Sequence, residues 1–371
     1  MTFLQIISLY VSKAVFSFFL TVLFLILTIK IFPKLGFMDN PKKWGFKRDP
    51  IPYSVGISVM LAFVISVLVF VPLNFSLIIV LTSGFLISVL GFVDDKINLK
   101  PFTRLVFQFF AGVLVVFSGI ELLSFSLPFI GEIPLDQIKV FGIYVLSALF
   151  LIFWTMLLIN AMNFLDGIPG LNSTVTAIAS FTIFFLSVHP GIHVDPSGQI
   201  VTSYLSLMLG FSALALLFFD FPKPAVLMGD SGSTFFGFML AVLSVLSGGK
   251  IATAFLVLGL PLLDLIWVVV RRTLEGKKFW QGDLFHLHHR FLYYGFSQRQ
   301  VVLIYGTISL VFGALALTFV SSAQKFFMLI ALLFLMVFLG TLLVFGKKFG
   351  KNKNRDGETK NSEKNSGENV A

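Results

Sequence analysis

Four short polar motifs stand where long apolar runs end, and their side chains are those that metal and phosphate chemistry uses. They are Gly91-Phe92-Val93-Asp94-Asp95-Lys96, Asn160-Ala161-Met162-Asn163-Phe164-Leu165-Asp166-Gly167, Met228-Gly229-Asp230-Ser231-Gly232-Ser233, and His286-Leu287-His288-His289 beyond Asp283. Acids are scarce, 18 Asp and Glu in 371 residues. A carboxylate near lipid is costly enough that its default reading is functional.

Each motif has a plainer alternative beside its chemical one. Asp94 and Asp95 close the third apolar run, where carboxylates oppose the helix macrodipole unless a cation compensates. A divalent metal would do so; two solvated loop acids beside Lys96 are the alternative. Asn160, Asn163 and Asp166 recur at i, i+3, i+6, near one helix face, and their oxygens are hard ligands suited to Mg²⁺. Asp166-Gly167 and Pro169-Gly170 also read as ordinary turn chemistry. Asp230 is placed to N-cap the next helix. The glycine-flanked helix start would present free N–H groups to phosphate, and Asp230 could hold the metal that bridges phosphates. His286, His288 and His289 are three of five His in the chain. Zinc would want a fourth well-placed N or S ligand, so with Arg290 adjacent a pyrophosphate contact is favoured. Asp264, after Pro261, is expected to pair with Arg271 or Arg272 as a structural acid.

The elements that must position these motifs are membrane helices. The chain is 57% hydrophobic and 12% charged, with mean hydropathy +0.96, and its runs are apolar all round. The pattern predicts an all-α integral membrane protein of about eleven transmembrane helices. Their approximate ranges are 9–31, 51–72, 75–92, 102–120, 141–161, 172–188, 199–219, 231–247, 250–270, 301–320 and 326–346. Segment 121–139, with Pro128, Pro134 and alternating apolar residues, suggests a short hairpin. Residues 347–371 lack an apolar period and read as a disordered tail, leaving 1–346 as one polytopic domain. Cys is absent, which excludes disulfide and thiolate chemistry.

Lys and Arg set the orientation. Alternate loops divide the 27 cations 23 to 4, the four being Lys13, Lys139, Lys250 and Lys325. This predicts an external N-terminus, a cytoplasmic C-terminus and all four motifs facing the cytoplasm. The net charge of +9 follows from this asymmetry and from anionic inner-leaflet lipid, with no nucleic-acid partner required.

In motif order, Asp94-Asp95, Asn160 through Asp166-Gly167, Met228 through Ser233, Arg271-Arg272 and His286-Leu287-His288-His289-Arg290 resemble the polyprenyl-phosphate N-acetylhexosamine-1-phosphate transferases. The resemblance spans about residues 30–320, and the histidine motif is similar to the bacterial branch that uses UDP-N-acetylglucosamine. It implies a Mg²⁺-dependent glycosyl-1-phosphate transferase (Mn²⁺ as the alternative ion) of the bacterial cytoplasmic (inner) membrane. Such an enzyme moves N-acetylglucosamine 1-phosphate from the UDP-sugar to undecaprenyl phosphate and releases UMP, a first membrane step in cell-envelope polysaccharide synthesis. The resemblance makes Asp94, Asp95 and Asp166 catalytic. It gives Asn163 and Asp230 to the metal, and Asn160, His286, His288, His289 and Arg290 to the substrate. A homodimer is compatible with it. Two departures stand out. Pro169 replaces the second acid of the usual Asp-Gly-x-Asp-Gly element, and Trp44 through Pro50 replaces an Arg-Lys-x-His-x-x-Pro segment. The same fold acting on UDP-N-acetylmuramoyl-pentapeptide, an ion-coupled transporter and a membrane scaffold are the competing readings. A transporter predicts acids deep within helices, whereas here all but Asp264 lie at helix ends.

Overall fold

The computed structural model describes residues 3–41, 48–127, 131–189, 199–248, 251–276, 286–319 and 321–345. The chain runs through α1 (Phe3–Leu35), α2 (Gly56–Phe70), α3 (Phe75–Ile97), α4 (Pro101–Phe117), α5 (Val145–Leu165), α6 (Leu171–Val188) and α7 (Ile200–Asp220). It continues through α8 (Asp230–Leu246), α9 (Ile251–Val257), α10 (Gly259–Leu274), α11 (Leu287–Tyr293), α12 (Gln298–Thr318) and α13 (Ser322–Phe345). Between α4 and α5 lie two antiparallel hairpins, β1 (Ser124–Leu127) with β2 (Gly131–Pro134) and β3 (Lys139–Val140) with β4 (Ile143–Tyr144). The first is the hairpin expected in that segment. The protein is an all-α integral membrane protein with these small additions.

Seven of the described helices are long and apolar enough to cross a bilayer: α1, α3, α5, α6, α7, α12 and α13. α2, α4 and α8 are shorter apolar helices of 15, 17 and 17 residues. At 1.5 Å per residue these last three reach only about 22–26 Å, under the ~30 Å of hydrocarbon. The run expected as one helix over 250–270 is instead broken into α9 and α10, which meet at 86°. The cause is local: Pro261 has no N–H to donate back across Leu258, and Gly259 leaves room against Leu332 of α13. The expected tail 347–371 and the segment Trp44–Lys47 lie outside the described residues.

Local signals explain the other boundaries. The Asn74 side chain caps α3 by accepting from the Leu77 N–H at 2.8 Å, and Asn98 ends it in the left-handed conformation, φ 51°. α3 thus extends to Ile97, carrying Asp94 and Asp95 onto its last turns. Pro101 occupies the first turn of α4, where its missing N–H is harmless. Ser297 and Gln300 form a capping box at the start of α12.

α8 is the central helix, packed against α3 and α5 and buried along nearly its whole length. Small polar residues join the helices, as expected where lipid offers no hydrophobic drive to associate. Ser17 of α1 bonds Ser212 and the Met208 carbonyl of α7, and Trp154 of α5 donates to Ser244 of α8 at 2.8 Å. The rim is apolar, with Phe19, Phe75, Phe102, Phe218 and Phe334 exposed as lipid-facing side chains.

Candidate active site

The site is built around the N-terminus of α8. Segment 52–56 lies alongside 227–228: Leu227 N–H donates to the Pro52 carbonyl, Val55 N–H to Leu227 and Gly56 N–H to Met228. This pairing fixes where α8 begins relative to α2. Gly229 caps the helix at φ 73°, a conformation side-chain-bearing residues rarely adopt. A Cβ there would lie 2.5 Å from Asp95 Oδ2, so the motif needs glycine on both counts.

Asp95 is the acceptor that this close approach admits. Its carboxylate receives the Asp230 N–H at 2.9 Å, the Ser231 N–H at 3.4 Å, the Tyr53 hydroxyl at 2.8 Å and the Ser54 hydroxyl at 2.5 Å. The Gly232 and Ser233 N–H groups return to the Gly229 carbonyl. Two sequence expectations change here. The α8 N-terminus does not present free N–H groups to phosphate, because the Asp95 carboxylate occupies the first two. Asp230 is not the N-cap either; it stands in the first turn behind Gly229. The unfavourable charge at the end of α3 is compensated by the positive end of α8. Burial, then the Asp95, Asp230 and Asp166 charges, push the Tyr53 hydroxyl far up, keeping it a donor.

Asp94, by contrast, faces a cation. Its Oδ2 lies 2.5 Å from Arg104 Nε of α4, and Arg104 Nη1 lies 3.3 Å from Asp230 Oδ2. The Leu99 N–H donates to Asp94 Oδ1 at 2.6 Å. Asn163 Nδ2 donates to Asp230 Oδ1 at 2.9 Å and to the Ser233 hydroxyl at 3.0 Å. Asn160 exchanges amide bonds with Gln108 of α4. Arg104 and Gln108 were not singled out from sequence. Their signal was an i, i+4 polar pair inside the apolar run 102–120.

Asp166 follows α5 as its C-cap, and its carboxylate accepts the Gly229 N–H. Burial first, then the charges of Asp230, Asp95 and Asp220, hold its carboxyl well above the usual range. The turn after it is fixed from below by buried Asp220, which accepts from the Ser173 hydroxyl and the Gly170 N–H.

The histidine motif comes to the same place. A Cβ on Gly167 would meet His288 Nε2 at 3.2 Å and His289 Cε1 at 3.3 Å. His286 caps α11, with Nδ1 3.0 Å from Asp264 Oδ2. Asp264 does not form the expected pair with Arg271 or Arg272: it holds His286 and the Leu287 N–H, and Arg271 lies 4.0 Å from Glu275. His288 is fully buried, and burial, then His289 and His286, drive its pKa well below the ordinary value. It is therefore neutral at pH 7 and supplies no positive charge to a phosphate in this arrangement. Burial also lowers His289. Arg290 is half-buried in α11, outside the lining of the groove described next.

Beside Asp94 and Asp230 opens a groove of about 550 Å³ between α3, α4, α5, α8 and α10. Arg104, Gln108, Asn160, Asn163, Thr234 and Arg272 are its other polar residues. One to three turns further into α3, α5 and α10 the lining becomes apolar, with Leu90, Phe153, Leu157 and Leu265. Asp94 and Asp230 already converge on one positive charge, the Arg104 guanidinium. Among the described residues there is no group of three or more His, Asp or Glu able to hold a metal. Mg²⁺ needs none: it is usually held by one or two carboxylates with waters and substrate phosphates. The two carboxylates and the Asn163 carboxamide fit such an ion.

Comparison with known proteins agrees with this geometry. The profile of glycosyl transferase family 4 matches residues 77–248. A probable undecaprenyl-phosphate N-acetylglucosaminyl 1-phosphate transferase of Bacillus subtilis is 30% identical over 294 residues, covering 77% of this chain and 78% of the relative. A decaprenyl-phosphate N-acetylglucosaminephosphotransferase of Mycobacterium tuberculosis is 30% identical over 302 residues, 73% of this chain and 72% of its own. An undecaprenyl-phosphate alpha-N-acetylglucosaminyl 1-phosphate transferase of Escherichia coli is 28% identical over 306 residues, 79% and 80% of the two chains. The chain belongs to the polyprenyl-phosphate N-acetylhexosamine-1-phosphate transferases and is a multi-pass membrane enzyme of that transfer class.

Proposed function

We propose that the enzyme transfers N-acetylglucosamine 1-phosphate from UDP-N-acetylglucosamine to undecaprenyl phosphate, releasing UMP, at the cytoplasmic face of a bacterial inner membrane. The observation that carries this reading is Arg104 bridging Asp94 and Asp230 at the polar end of a groove whose remaining wall is apolar. A polyprenyl phosphate has those two halves: a hydrocarbon chain for the wall and an anionic head for the guanidinium. The names of the three relatives support the acceptor class and the sugar.

Chemically, a lipid phosphate oxygen attacks the sugar-proximal phosphorus and UMP departs. A phosphate monoester has its second pKa near 6, so the nucleophile is largely ionised at about pH 7 and needs no carboxylate base. The protein's task is to align the phosphates and offset their charge. Asp94, Asp230 and Asn163 would hold Mg²⁺, which supplies Lewis-acid polarisation of the phosphoryl oxygens. Arg104 is positioned for the lipid phosphate, Asp95 fixes the α8 start, and Asp166 with His286, His288, His289 and Arg290 faces the UDP-sugar.

The same reading includes eleven crossings, with α9 and α10 counted as one and α2, α4 and α8 as short spans. The N-terminus is external, the 347–371 tail cytoplasmic. The 23-to-4 division of Lys and Arg supports it, as does the meeting of all four motifs at one end of the bundle.

The test is UMP release by purified protein with undecaprenyl phosphate, comparing UDP-N-acetylglucosamine with UDP-N-acetylmuramoyl-pentapeptide, each with Mg²⁺ and with chelator. Mg²⁺-dependent release from the first donor alone is expected. Release only from the second would overturn the donor, and release undiminished by chelator would overturn the metal.

A further inference from the structure

Asp264 belongs to no motif of the site, yet it is 3% exposed in the second turn of α10. Its two oxygens do different things. Oδ1 accepts the Leu287 N–H at 2.9 Å, fastening the start of α11 to α10, and Oδ2 lies 3.0 Å from His286 Nδ1. The His286 ring is also held on its faces. Phe164 of α5 lies 4.6 Å away, tilted by 34°, and His288 stacks at 5.6 Å and 10°. His286 Nε2 is buried and has no hydrogen-bond partner among the described residues. Phe164 lines the groove and follows Asn163 in the chain, so the clamped imidazole sits against the wall of the reaction site.

We propose that Asp264 is the positioning residue of the histidine motif: it fixes the His286 tautomer with the proton on Nδ1, leaving the Nε2 lone pair to meet substrate. A carboxylate can only accept, so a hydrogen bond at 3.0 Å requires a proton on Nδ1. In the neutral ring Nε2 is then an acceptor for a hydroxyl or amide of the nucleotide or sugar. A carboxylate that orients a histidine without itself changing protonation state is a recurrent device in acyl transfer. The inference deepens the transferase reading and rests on it for the substrate, while the tautomer is independent of it.

Asp264→Asn separates this role from a merely structural one. The Asn oxygen still accepts the Leu287 N–H, so α11 stays fastened. Its amide nitrogen donates to Nδ1, forcing the proton to Nε2. A structural role predicts near-normal turnover in this variant. Tautomer control predicts that kcat falls by about 10²-fold or more with a thermal midpoint close to wild type. A second readout needs no substrate: ¹⁵N-histidine NMR, with His286 assigned through His286→Gln. It should show Nδ1–H in the wild type and Nε2–H in Asp264→Asn. In the double variant Asp264→Asn/His286→Gln, activity should fall no further than in His286→Gln alone, because Asp264 acts through that ring. Unchanged kcat in Asp264→Asn, an unchanged His286 spectrum, or additive losses in the double variant would overturn the proposal. If the wild type releases no UMP from any UDP-sugar yet the spectra switch, the substrate reading fails and the tautomer assignment stands.

Discussion

Asp94 and Asp95 are neighbours in sequence, and Asp→Asn substitution should affect their stability differently. From sequence both acids are unfavourable charges at a helix end, so neutralising either would leave stability unchanged or slightly raised. Asp95, however, accepts from four donors. An Asn keeps one acceptor oxygen and turns an NH₂ group toward the remaining donors, so about two bonds to a charged acceptor are lost. At about 1.5–3 kcal/mol each the loss is roughly 3–6 kcal/mol. Relief at the end of α3, and easier burial of a neutral amide where burial and then the Asp230 charge hold the Asp95 carboxyl up at about 7, return about 2 kcal/mol. The net expectation for Asp95→Asn is a destabilisation of about 1–4 kcal/mol. Activity should fall with it, because Asp230 begins the helix that Asp95 holds. Asp94 loses an ion pair whose Arg104 side chain is 35% exposed, about 0–1 kcal/mol, and the amide oxygen still accepts the Leu99 N–H. Asp94→Asn should therefore unfold like wild type while kcat drops about 10²–10³-fold. The assay is thermal unfolding in detergent alongside UMP release per folded molecule. An Asp95→Asn protein as stable as wild type, or an Asp94→Asn protein with most of its turnover, would refute the division of labour.

Asp230→Asn should nearly abolish turnover with folding intact, since Gly229 rather than Asp230 caps α8; near-normal rates at ordinary Mg²⁺ would displace the metal from this residue. Gly229→Ala should lower stability by at least the roughly 1–3 kcal/mol of positive-φ strain, with further loss from the Asp95 contact, read as a lower unfolding midpoint. For Asp166, whose folded pKa is raised by burial and by neighbouring acids, the folded state binds more protons than the unfolded chain. Its contribution to stability therefore falls as pH rises above the ordinary carboxylate range. Asp166→Asn should accordingly unfold at a higher temperature than wild type near neutral pH in chelator, with the gap closing toward pH values near 4. A single Cys at position 277, in a chain without native Cys, should resist impermeant labelling in intact cells; external labelling would reverse the orientation.

Apolar runs and polar interruptions made much of this protein legible, because both are one-dimensional signals. Each expected apolar run except 250–270, which is divided between α9 and α10, falls on one helix, and residues from all four motifs meet around Asp230 and Gly167. What periodicity could not supply was partnership. The acceptor role of Asp95 depends on α8 arriving 135 residues later in the chain, and the pairing of Asp264 with His286 joins two helices across 22 residues. Asp264 was assigned to Arg271 or Arg272 by helical proximity, the sole geometry a sequence offers. In the sequence Arg104 is one of the 23 cations on the majority side, and nothing in its neighbours tells that it faces two acids. The break between α9 and α10 was visible as Pro261, but an apolar run of about twenty residues outweighed a single proline.

Arg104 has a thermodynamic consequence. One guanidinium is shared by two carboxylates, so Asp94 and Asp230 are partly charge-compensated from within the chain before any ligand arrives. A cation seated between them releases Arg104 toward an anion, and an anion drawn to Arg104 frees the carboxylates for a cation. The two ligands would therefore bind with positive coupling, and linkage requires the coupling to be the same from either side. The enzyme would hold neither partner tightly alone, and would gain affinity for the pair only when both charges arrive to exchange places with its own.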